Sequence, residues 1–145
     1  MDQTEVLLTS SGLQTLATTR EERTNDMASD QLRLILRRRL TEGQLEAYKG
    51  MALHLTADVQ ANEPDTLSYE NYLTDDGTEA FLVVAFRNSE AFLRHHHRAM
   101  SSDYKAPDLG PFAEALVLGS PTPEAREALS WLEPKIFSML AGFTR

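Results

Sequence analysis

A chain of 145 residues is one domain's worth of polypeptide, long enough to bury a real hydrophobic core and too short for two full domains. Its 41% apolar and 25% charged residues match ordinary globular proteins, and 14 basic against 22 acidic residues give a net charge of -8, a field that repels nucleic-acid phosphates and anionic lipid headgroups. Cysteine is absent, which excludes disulfides, thiolate zinc sites and a cysteine nucleophile; with no apolar run of membrane-spanning length, the expectation is a cytoplasmic protein with neither nucleic acid nor membrane as partner.

Residues 1–28 read as an N-terminal extension, with one apolar patch at Val6-Leu7-Leu8, a polar stretch from Thr18 to Asp26, and Met27 as an alternative start. The domain proper is expected over residues 29–120, and residues 121–145 add a C-terminal helix and tail packing on it. From Leu32 to Leu40, Leu32, Leu34, Leu36 and Leu40 alternate with Arg33, Ile35, Arg37 and Arg39, the period of a strand with one greasy face and one that carries arginines. Thr41 and Gln44 form a capping-box pair. A helix follows, with Leu45, Tyr48, Ala52, Leu55 and Val59 on one stripe, ending near Ala61 before Pro64.

Thr66 to Leu73 and Glu79 to Phe86 read as a hairpin turned at Asp75-Asp76-Gly77, the second strand being central because it is apolar almost throughout. Asn88 or Ser89 caps a second helix that runs to about Met100. Ser101 to Pro111 is loop, Phe112 to Gly119 a fourth strand, and Thr122 with Pro123 opens a last helix. Lys135 to Phe143 is apolar without a clear period. The order predicts an α+β, ferredoxin-like split βαβ fold, an antiparallel sheet with both main helices on one face. Its other face, with Ile35, Tyr72 and alternate residues of 79–86, is left bare, so a homodimer through that face is expected.

The segment Glu63 to His96 resembles the antibiotic biosynthesis monooxygenase domain family. Tyr69 and Tyr72 lie in the first hairpin strand, Phe86 ends the second, and Ser89-Glu90-Ala91-Phe92 leads to His95; the similarity runs through roughly residues 32–120. The resemblance implies a dimeric α/β barrel enclosing a small pocket. Departures are Val84 or Ala85 in place of a frequent Glu, Phe86 in place of Trp, Asp65 in place of Gly, and Met100 in place of a second His. The first strand has no Asn, so haem degradation is disfavoured.

Successive helical residues point about 100° apart, so His95, His96 and His97 do not converge on one metal. His96 shares the apolar stripe with Phe92 and reads as a packed core histidine, while the resemblance assigns His95 to the pocket edge. Strand parity puts Arg33, Arg37 and Arg39 opposite the leucines, facing the barrel or the dimer seam; there they bind a phenolate or carboxylate, or pair with an acid such as Glu70. Parity also packs Tyr69 under the helices and leaves Tyr72 and Glu70 for the inner face. Trp131 reads as a core or interface anchor. No phosphate-binding Gly-rich loop, GxSxG or HExxH occurs in the sequence.

What the resemblance implies is a monooxygenase acting with O₂ on an aromatic phenol or quinol, needing no cofactor and no metal. His95 is the base, and Arg37, Tyr72, Glu70 and Phe86 bind the substrate. The alternative is a non-catalytic dimeric module of the same fold, binding a small molecule or serving assembly, whose interior would be filled by its own side chains.

Overall fold

The computed structural model describes residues 30–145, so the expected extension at 1–28 lies outside the described residues. Residues 30–140 form one compact unit, and 141–145 stand outside it. Its elements are β1 (Leu32–Arg39), a 3₁₀ turn (Glu42–Gln44), α1 (Leu45–Asn62), β2 (Thr66–Leu73), β3 (Glu79–Phe86), α2 (Ser89–Ser101), β4 (Glu114–Leu118), α3 (Pro123–Leu129), a 3₁₀ turn (Ser130–Leu132) and β5 (Lys135–Phe137). The five-stranded sheet has the order β2-β3-β1-β4-β5. The first four strands in that order are antiparallel neighbours, and β5 joins β4 in parallel, so the sheet is mixed. The fold is the expected α+β, ferredoxin-like one, with an open sheet.

Alternation along β1 determines both faces. Leu32, Leu34 and Leu36 are buried under the helices, where they meet Val84 and Phe86 of β3 and Val117 of β4. Phe86 is fully buried and takes the Phe92 ring edge-on, centroids 5.5 Å apart. Burial of side chains of this size contributes about 1.5–3 kcal/mol each, which makes this cluster the main store of stability. Ile35 lies on the opposite face, paired across the ladder with Val83 and Leu116.

Local signals start the helices where the sequence implies. The Thr41 N–H donates to Gln44 Oε1 at 3.0 Å. Asn88 caps α2, its side chain accepting from the Ala91 N–H at 2.8 Å, and Thr122 caps α3 by accepting from the Ala125 N–H at 3.2 Å, with Pro123 in the first turn. Two expectations are corrected and one open segment is assigned. The fourth strand is shorter than 112–119, because Phe112 turns off the ladder to meet the Arg38 cation. The unassigned apolar segment supplies β5, placed by the left-handed turn at Glu133 (φ 49°) and by the Gly119 N–H donating to the Phe137 carbonyl at 2.8 Å. Of the two roles expected for Trp131, core or interface anchor, the core one is overturned: it is 67% exposed, with its ring beside Phe112. The α1 stripe is also only partly packed: Tyr48 and Val59 are buried, while Ala52 and Leu55 line cavities.

Two glycines test the backbone. A Cβ on Gly50, inside α1, meets nothing within 4 Å, whereas one on Gly119 (φ 130°) falls 2.5 Å from the Gln31 carbonyl oxygen. Gly50→Ala is therefore expected to raise stability by about 0.5–1 kcal/mol and Gly119→Ala to lower it by about 1–3 kcal/mol, read as urea midpoints.

Candidate active site

A cavity of about 350 Å³ opens between the end of α1, the start of β2 and α2. Its chemistry is carried by His54, Asp58, Glu63, Tyr69, His95 and Arg98. Glu63 caps α1, directly before Pro64, and its side chain is only 8% exposed. A carboxylate so placed needs donors on most of its lone pairs. Glu63 receives them from Thr66 Oγ1 at 2.8 Å, from His95 Nδ1 at 2.9 Å, and from Arg98 Nη1. His95 and Arg98 stand three residues apart on α2 and so share one face. The second arm of Arg98 reaches both oxygens of Asp58 at 3.0 and 3.1 Å. Hydrogen bonds to Glu63, and then to Asp58, hold Arg98 above the ordinary guanidinium value.

The Glu63 contact fixes the imidazole. An ionised carboxylate only accepts, so His95 Nδ1 carries the hydrogen and Nε2 keeps its lone pair in the neutral ring. The ring is held between Phe86, at a centroid distance of 5.4 Å, and Tyr69, at 6.3 Å. Burial first, then the nearby Tyr48, Glu63 and Asp58, push the Tyr69 phenol up to about 12. At the cavity rim His54 stacks on Tyr104, centroids 4.0 Å apart and planes 16° from parallel, which ties the segment after α2 to α1.

The structure separates the residues singled out in the sequence. His95 stands in the cavity wall. Phe86 lies under the His95 ring with no exposed surface. Arg37, Tyr72 and Glu70 share the open sheet face, on the far side of β1 and β2 from the cavity, because their parity is opposite to that of the buried leucines and Tyr69. Arg37 is clamped there by Glu79 at 3.1 Å and Glu114 at 3.3 Å, acids of the strands flanking β1 rather than Glu70. Tyr72 is 53% exposed. His96 is half-buried and stacked on Phe92. Glu63, Arg98 and Asp58 are the site residues that sequence reasoning missed. The spacing of His95 and Arg98 was a usable signal; the approach of Glu63 to both is tertiary. Among the described residues, no three His, Cys, Asp or Glu side chains gather as a metal site, and no helix is long and apolar enough to cross a membrane.

The family model of the antibiotic biosynthesis monooxygenases matches residues 32–106, just over half of the chain. The chain belongs to the antibiotic biosynthesis monooxygenase family. The match takes in β1 through α2 and the whole His95 cavity. Solved structures agree in fold. MupZ from Pseudomonas fluorescens superposes with a TM-score of 0.70 at 19% identity, covering 81% of this chain and 91% of its own. Rv0793 from Mycobacterium tuberculosis gives a TM-score of 0.53 at 20% identity over 63% of this chain and 96% of its own. A Bacteroides thetaiotaomicron protein provisionally described as an antibiotic biosynthesis monooxygenase gives 0.51 at 13% identity, covering 66% and 92%. No curated protein matches the chain.

In this family member, Tyr69 is expected to ionise near pH 12, against an unfolded value near 10. Its neutral form contributes stability that is complete below the unfolded value and lost as pH rises through the folded one. An alkaline titration followed by tyrosinate absorbance should show a late step that Tyr69→Phe removes.

Proposed function

We propose that this family member is a small oxygenase that uses O₂ on an electron-rich phenol or quinol, drawing the electrons from the substrate anion and needing no added cofactor. The observation that carries this reading is the imidazole held by a buried carboxylate in the wall of a cavity. His95 Nε2 takes the proton of the substrate hydroxyl, and the phenolate so formed is electron-rich enough to react with oxygen. Oxidation of a phenol carrying a free ring C–H then consumes one O₂, places one oxygen atom on the ring as a quinone carbonyl, and releases the other as water. Glu63 orients the ring and stabilises the imidazolium, and Arg98, on the same carboxylate, keeps it in place. Arg98 adds a cation to the cavity wall. Arg37, Tyr72 and Glu70 take no part in proton transfer in this scheme. The binding-module alternative called for a filled interior, and the open cavity favours the enzyme.

Activity is expected as oxygen uptake with a panel of hydroquinones and naphthols. His95→Ala should lower the rate by about 10²–10⁴-fold. Glu63→Gln should lower kcat and leave KM nearly unchanged, as for a residue that acts through the base. No uptake above the His95→Ala background with any member of the panel would overturn the reading.

The same proposal includes a homodimer through the open sheet face, where Phe81 is 39% exposed beside Tyr72, and Arg37 sits in its acidic clamp. Sedimentation is expected to show a dimer at micromolar concentration for the native chain and a monomer for Phe81→Asp. A folded native monomer under those conditions would overturn it. An address in the cytoplasm goes with this reading, supported by a sequence without cysteine.

A further inference from the structure

A second cavity, of about 150 Å³, lies between the first half of α1 and the middle of the sheet. Leu36, Met51, Ala52 and Leu82 give it apolar walls, and Arg38 is set among them. Arg38 occupies the row of β1 that otherwise holds Leu32, Leu34 and Leu36, so strand alternation delivers a guanidinium to the helix-facing side. Its head is fixed: Nη1 donates to the Gly110 carbonyl at 2.8 Å, and the cation lies 4.2 Å from the centroid of the Phe112 ring. Among the described residues no carboxylate pairs with it, whereas Arg37, Arg87, Arg94 and Arg98 are each held by acids. Burial pulls Arg38 below the ordinary guanidinium value, a cost that an anion within reach would remove.

Two other polar residues of the wall, Tyr48 and Asn71, are engaged with each other. The Tyr48 hydroxyl donates to Asn71 Oδ1 at 3.0 Å, and the Asn71 amide donates to Thr56 Oγ1 at 3.0 Å. Among the described residues Gly110 takes one of the five N–H donors of Arg38, and a mostly apolar space lies beside the guanidinium.

We propose that this cavity is a binding site for a monocyclic aromatic carboxylate, with the ring among Leu36, Ala52 and Leu82 and the carboxylate on the Arg38 fork. An apolar cavity of roughly this size accepts one benzene ring. A planar guanidinium meets a carboxylate through two parallel hydrogen bonds, which selects it over a neutral isostere of the same shape. The site shares Leu55 and Tyr69 with the His95 cavity but none of its proton-transfer groups, so it stands whether or not the chain is an oxygenase.

Calorimetric titration of the full chain with benzoate and with benzamide tests it. Benzoate is expected to bind at least about tenfold more tightly than benzamide, as a charge-assisted hydrogen bond requires. Arg38→Met, which keeps an apolar stem, should bring benzoate down to the benzamide level, and Ala52→Trp should abolish both by filling the space. Equal affinity for the two probes, no benzoate binding at millimolar concentration, or undiminished benzoate binding by Arg38→Met would overturn the proposal. The comparison of benzoate with benzamide uses the native chain, so it decides even where a variant fails to fold.

Discussion

The buried carboxylate of Glu63 is the constraint on which the candidate site depends. A charge taken out of water is tolerated only where donors replace its hydration, and here the donors arrive from two different elements, Thr66 at the start of β2 and His95 with Arg98 on α2, while Glu63 itself ends α1. One carboxylate thus ties together the three elements that enclose the cavity. The same contact sets the tautomer of His95, so the group that joins the elements also gives the imidazole its chemistry. Removing either partner would leave the other charge or polar group without its hydrogen bond in a place that water reaches poorly.

The sheet divides the molecule's chemistry by parity. Residues in register with Leu34 and Leu36 look toward the helices, and both cavities lie on that side. Residues in register with Ile35 form the other surface, where Arg37 is neutralised by two acids and apolar groups remain exposed. A cation held by carboxylates is a structural clamp, whereas one that lacks them is open to a ligand. That contrast separates Arg37 from Arg38, adjacent in the chain and on opposite sides of the sheet.

Much of the fold was legible because periodicity is a local property. β2 and β3 fall at their expected residues, and the Thr41, Asn88 and Thr122 caps lie where a short polar side chain precedes a helical stripe. β5 was not legible: three residues are too few to show a period, and its pairing rests on the turn at Glu133 and on the neighbouring β4. In the site, His95 was visible through the family resemblance, but the partnership with Glu63 spans 32 positions and no spacing rule reaches that far. Arg38 did leave a mark in the sequence. It interrupts a row of leucines, a charge in a core register.

The two rims of the sheet also bear on how molecules of this protein meet. On one rim of the described sheet the ladder between β2 and β3 changes register between Thr66 and Ser68, an irregularity that interrupts the regular spacing of the strand at its start. On the other, β5 offers only three residues. Neither is a good template for a further strand, so growth of a continuous ribbon by lateral addition is discouraged at both ends. In the proposed homodimer the contact is between broad surfaces related by a two-fold axis, and contact of that kind stops at a pair instead of propagating into a fibre.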